Sequence, residues 1–213
     1  MARLPNLPKG HKICVVCEGL EDTEYFTRLT NLNVWNDSYT FHPINAKSAS
    51  NIPARYQDAY HNDSYELVLV FCDTDKYPYR EYNLVKEKIN DCFGGAEIDN
   101  LIIIYANPCT MQIILSHFGD VSLKNQGKKT NAKLIEELTG VPNYDAHADQ
   151  IQAICSKIFR RTYSDMKMRI SKINHGDETS ASTNFAVFLE KFENEDDSWI
   201  YDINKVLENE CEH

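Results

Sequence analysis

The chain has 213 residues, 42% hydrophobic and 25% charged, with a formal net charge of -10. That length suits one α/β domain with a small addition, and the composition is that of a globular protein, not a disordered or fibrous one. The acidic balance argues against indiscriminate nucleic-acid binding, and no apolar run approaches the roughly 20 residues of a membrane span.

The start, Met1-Ala2-Arg3-Leu4-Pro5, lacks the apolar stretch of a secretory signal, so a cytoplasmic protein with no membrane partner is expected. Seven scattered cysteines, an odd number, fit reduced thiols better than a disulfide framework. Cys14 and Cys17 have metal-pair spacing. They fall in a predicted strand, however, where residues three apart face opposite ways, and no second pair completes a zinc site.

After a Pro-rich lead-in, residues 12–17 (Lys-Ile-Cys-Val-Val-Cys) predict a first strand ending in Glu18 and Gly19. Residues 22–33 predict a helix with Tyr25, Phe26 and Leu29 on its buried face, 39–44 a short strand and 52–60 an amphipathic helix. Leu67-Val68-Leu69-Val70-Phe71-Cys72 is apolar without alternation, as in a strand buried on both faces of a parallel sheet, and it ends in Asp73-Thr74-Asp75. Tyr77-Pro78-Tyr79 reads as a loop, and residues 80–93 as a helix stopped by Gly94-Gly95. Residues 101–106 predict a fourth strand. Asn107 and Pro108 then suit the N-cap and first position of a helix carrying Met111, Ile113, Ile114, Leu115 and Phe118.

Four strands separated by helices predict a four-stranded parallel sheet with right-handed crossovers. Beyond Gly119 the periodic segments 131–138, 146–161, 184–192 and 199–210 are all helical, joined by polar connections such as 175–182. The expected division is an α/β core over residues 1–119 and a helical, partly basic addition over 120–213 packed on it.

Ligands of such sheets collect outside the carboxyl ends of the strands, which puts Glu18, Asp73, Asp75 and Asn107 on one rim. Aspartates there also serve as turn and cap residues. Carboxylates at neighbouring strand ends supply the hard oxygen ligands that Mg²⁺ takes, and without a cation they repel and raise one another's pKa. In that reading Asp73 and Asp75 hold the cation, and Glu18 is a further ligand or a general base. Asp22 and Glu24 are secondary candidates that equally suit the first turn of a helix. His117 is placed to donate to a leaving group or phosphate, or else to sit hydrogen-bonded against the core. Residues 121–175 hold ten Lys and Arg against five acids. Lys128, Lys129, Arg160 and Arg161 are therefore candidate phosphate contacts bordering the rim, against the alternative of a solvated helix face.

Glu18-Gly19-Leu20-Glu21-Asp22 and Asp73-Thr74-Asp75 resemble the two signatures of the Toprim domain, the metal-binding module of topoisomerases, primases and OLD-type nucleases. More narrowly the chain is similar to RloB and AbiL-type proteins of phage-resistance loci. That resemblance rests on Thr23-Glu24-Tyr25-Phe26, Asn107-Pro108-Cys109, His117-Phe118 and Ser182-Thr183-Asn184 as well. It implies a nuclease using Mg²⁺, with Mn²⁺ as a substitute, acting on DNA or RNA in bacterial defence, with a partner protein such as an ATPase. The chain departs from the pattern at Met111, where a glutamate is usual, and at Ala181, where a proline is usual. A catalytically weak Toprim module that binds nucleic acid or a protein partner is the alternative. A phosphoacceptor receiver domain ranks last, because Glu18 stands beside a glycine and no fifth strand is predicted.

Overall fold

A computed structural model of the protein describes residues 10–62, 64–177 and 181–211. The Pro-rich lead-in at 1–9 and part of the 175–182 connection lie outside the described residues. The elements run β1 (His11–Cys17), α1 (Leu20–Asn31), β2 (Tyr39–Asn45), α2 (Ile52–Tyr60), β3 (Leu67–Asp73), α3 (Arg80–Asp91), α4 (Asp99–Ile102) and β4 (Ile103–Asn107). Then follow α5 (Met111–Leu115), α6 (Lys128–Thr139), α7 (Ala148–Cys155), α8 (Arg160–Ile170), β5 (Ser182–Thr183), α9 (Phe185–Glu193) and α10 (Ser198–Cys211).

The sheet order is β2-β1-β3-β4-β5, with the first four strands parallel and β5 antiparallel to β4. Leu69, Val70 and Phe71 at the centre of β3 are fully buried, as expected of a strand covered on both faces. The chain moves one way along the sheet from β1 to β2 and the other way from β2 to β3, so right-handed crossovers put α1 and α2 on opposite faces. On the α1 face an aromatic cluster joins Phe26 and Phe71 to Phe185 of α9, with ring centroids 6.3 and 5.5 Å away from it. On the other face Tyr60 of α2 meets Phe93 edge-on at 5.2 Å. Across the amino ends of the strands lies α10. Trp199 donates to the Tyr39 hydroxyl at 3.1 Å, Asn204 donates to the Glu66 carbonyl at 2.7 Å, and His11 lies between Glu66 and Asp197 at 2.6 and 2.7 Å.

Three differences from expectation have physical causes. The fifth strand is only Ser182–Thr183, too short and polar to signal itself, and side chains secure it: the Thr183 hydroxyl donates to the Tyr105 carbonyl at 2.6 Å. Asn184 then extends the edge, accepting from the Tyr105 N–H at 2.9 Å and donating to the Ile103 carbonyl at 2.7 Å. The helix expected over 146–161 breaks after α7, because Phe159 is extended (φ -129°, ψ 169°) and the Ile158 carbonyl receives the Arg28 guanidinium at 2.6 and 3.0 Å. Helix α8, absent from the sequence reading, starts there. Asn107 does not cap a helix: it ends β4, the bond to Pro108 is cis, and α5 begins only at Met111. Phe185, Phe188 and Phe192, from beyond residue 119, belong to the same hydrophobic cluster as Phe26, Phe41 and Phe71.

Candidate metal centre

The strand order reverses between β1 and β3, and the crevice beyond the carboxyl ends at such a reversal is where open α/β sheets bind ligands. Glu18 leaves β1 there, and Asp73 ends β3 beside it. The Glu18 N–H continues the ladder to the Phe71 carbonyl at 3.0 Å, and the Asp73 N–H donates to Glu18 Oε2 at 3.1 Å. Thr110 fixes Asp73 in turn: its backbone N–H and hydroxyl donate to Oδ1 at 2.7 and 3.0 Å. Past Thr74 the chain turns at Asp75, in the left-handed region at φ 59°, and the Asp75 N–H donates to the Pro108 carbonyl at 3.0 Å.

These acids, with Asp22, line a cavity of about 320 Å³. Asp22 belongs to the first turn of α1, where its Oδ2 accepts the Gly19 N–H at 2.8 Å while its buried Oδ1 has no hydrogen-bond partner. Asp22 thus takes the capping role with one oxygen, and its other oxygen stays buried and unpartnered on the cavity wall. Met111, Ile135 and Ile151 form an apolar wall, and Glu21, Lys128 and Tyr144 stand on the same side of the cavity as α6 and the loop after it.

Burial dominates the electrostatics. It pushes Glu18 up to about 8, with the charge of Asp22 adding to the effect. Asp73 is pushed well above the carboxylate range by burial and then by Asp22 and Glu18. Burial also raises Asp22, against the opposing pull of Thr110 and the Gly19 amide, and raises Asp75, with Glu81 contributing. Glu21 is raised to about 7 by burial, although the hydrogen bond from Tyr144 and the charge of Lys128 both favour its ionised form.

An all-oxygen donor set, mutually repelling carboxyls and one orphaned buried carboxylate oxygen are the chemistry that a hard divalent cation relieves. The side chains as they stand are not gathered on one point: among the described residues no three His, Cys, Asp or Glu are arranged to hold an ion. Glu18 gives Oε2 and Asp73 gives Oδ1 to protein donors, which leaves the second oxygen of each carboxylate for a cation.

The other expected residues divide. Lys128 lines the cavity, while Lys129, its neighbour on α6, is exposed outside it. Arg160 and Arg161 are remote: Arg160 donates to the Leu32 carbonyl at 3.0 Å, beyond the C-terminal end of α1, and the cavity acids sit at the other end of that 12-residue helix. At 1.5 Å per residue the separation is roughly 15 to 18 Å, so these arginines do not border the rim. Glu24 is half-buried towards α7, where its charge acts on Cys155, and does not line the cavity. Asn107 is buried and donates to the Asp177 carbonyl at 2.8 Å. His117 is buried with both ring nitrogens engaged, by the Tyr25 hydroxyl at 3.0 Å and the Thr162 hydroxyl at 3.3 Å, and burial pulls it down to about 3. It is a core histidine, outside the cavity.

Glu21, Lys47 and Tyr144 are cavity residues that the sequence reading passed over. Lys47 follows β2 and was accessible to the same carboxyl-end rule that found the acids. Tyr144 arrives from a loop more than a hundred residues away in the chain, and no local pattern announces it. Comparison with protein-family models, curated proteins and solved structures yields no match to this chain.

Proposed function

We propose that the chain is a divalent-metal-dependent nuclease with a Toprim-like, RloB-like active site, acting on DNA or RNA in bacterial or phage defence. One observation carries the reading: Glu18, Asp22, Asp73 and Asp75 line a single cavity at the point where strand order reverses. Glu18, Asp73 and Asp75 would hold Mg²⁺, or Mn²⁺ in its place, and Asp22, with one buried oxygen unsatisfied, lines the same cavity. A cation held there would supply polarisation of a phosphoryl oxygen and activation of a water. The chain's own contribution is positional. Thr110 locks Asp73, the Asp73 N–H orients Glu18, and Lys128 offers a cation to an incoming phosphate. A nucleic-acid substrate, and a protein partner such as an ATPase, come with this reading.

Met111 supports a second reading. Its side chain lines the cavity at the position where the resemblance expects a glutamate, which fits a module that binds metal and nucleic acid but cleaves weakly. Labelled DNA and RNA incubated with Mg²⁺ or Mn²⁺ separate the two. Cleavage that Asp73→Asn abolishes supports the nuclease. A wild type that cleaves neither polymer yet melts higher with metal supports the binding module, and a wild type with no metal response overturns both.

A further inference from the structure

The loop after Asp75 is tied down yet displays a bare ring. The Tyr79 N–H donates to the Lys76 carbonyl at 2.9 Å, the Asn83 N–H to the Tyr79 carbonyl at 2.8 Å and the Asn83 side chain to the Pro78 carbonyl at 3.3 Å, fastening the loop to the first turn of α3. Tyr77 nevertheless remains 76% exposed, more than any other large hydrophobic residue described. Its ring and that of Tyr79 meet edge to face, centroids 5.6 Å apart at 84°, a contact that orients the Tyr77 ring while most of its surface stays open to solvent. One residue separates it from Asp75 on the cavity wall, a chain distance of at most about 7 Å. Lys76 between them is also exposed.

The geometry points to Tyr77 as a stacking platform for one base of a single-stranded polynucleotide whose phosphate enters the carboxylate cavity. This rests on the nuclease reading and narrows its substrate. A cavity of about 320 Å³ is at the small end for ligand pockets, and Asp22 on its wall is only 4% exposed. A duplex hides its base faces in the stack, and enzymes that need a buried atom of it must first extrude a nucleotide. A single strand does both things without distortion: it turns a phosphate inward and lays an unstacked base on an exposed aromatic ring. Recognition by stacking is tolerant of sequence.

The test measures binding of a labelled 12-mer single strand, as RNA and as DNA, and of the matching duplex, in Mg²⁺, with cleavage followed in parallel. Wild type is expected to bind a single strand more tightly than the duplex. Tyr77→Ala should weaken single-strand binding roughly 5- to 150-fold and leave duplex binding and the melting temperature unchanged, while Tyr77→Phe and Tyr77→Trp retain it. The tighter of the RNA and DNA arms identifies the substrate. Tyr77→Ala binding single strands like wild type, or wild type preferring duplex, overturns the inference even where cleavage persists. Single-strand binding that depends on Tyr77 without any cleavage upholds it and removes the nuclease reading instead. Failure to bind or cleave any polymer removes both.

Discussion

Burying Glu18, Asp73 and Asp22 together makes each carboxyl harder to ionise in the fold than in the unfolded chain, and that ties stability to pH. A group whose folded pKa is raised gives stability that is full below its unfolded pKa and is lost as pH climbs through the folded value. Glu18, raised from 4.5 to about 8, and Glu21, raised to about 7, act in that sense. His117 acts oppositely: its folded value near 3 lies below 6.5, so its contribution is complete above 6.5 and fades as pH falls. The two effects oppose each other between 4.5 and 6.5 and separate above, so the metal-free protein should lose stability from about pH 6.5 to 8. Urea denaturation across that range checks it, and saturating Mg²⁺ should flatten the decline by binding the ionised acids. Asp73→Asn should likewise flatten it, leave the metal-free fold as stable or slightly more so, and abolish the Mg²⁺-induced rise in melting temperature. A variant melting well below wild type would instead assign Asp73 to the turn that Thr110 secures. At this scale the strand-end acids were legible because the end of an apolar run is visible in one dimension. Glu21 was not, although it stands between Glu18 and Asp22, because what marks it is its contact with Tyr144, and that contact is tertiary.

Strands β1 to β4 follow directly from their apolar runs, whereas elements that depend on side-chain bonds to distant backbone do not. Helix α8 exists because Arg28 takes the Ile158 carbonyl, and β5 is held on β4 by Thr183 and Asn184. Removing the Asn184 side chain strips partners from a buried N–H and carbonyl of β4, each costing about 1 to 3 kcal/mol when left unmet. Asn184→Ala should therefore destabilise by about 2 to 4 kcal/mol, read from chemical denaturation. The helices also sort the basic residues by position. Lys128→Ala should lower the log–log salt slope of nucleic-acid binding by about 0.7 to 0.9, since that lysine lines the cavity. Arg160→Ala, at the far end of α1, should leave the slope unchanged.

The whole molecule is a sheet clasped at both ends of its strands, with acids at the carboxyl end and α10 across the amino end. Because Phe185 and Phe192 complete the cluster around Phe26 and Phe71, a chain cut after Gly119 exposes those rings. Such a fragment should lack the near-ultraviolet circular dichroism of a packed core, and a folded fragment would vindicate the boundary drawn from sequence. The side-chain bonds of Asn184 also bear on solubility. A parallel sheet of this kind has two margins at which a stray strand of another copy can add itself. At one, β2 carries Pro43, which has no N–H to donate. At the other, the amide of Asn184 occupies the β4 groups that an intruding backbone would use. The same substitution that weakens the fold would uncover this margin, so Asn184→Ala protein should pass into concentration-dependent, thioflavin-positive aggregates at temperatures where wild type stays dispersed.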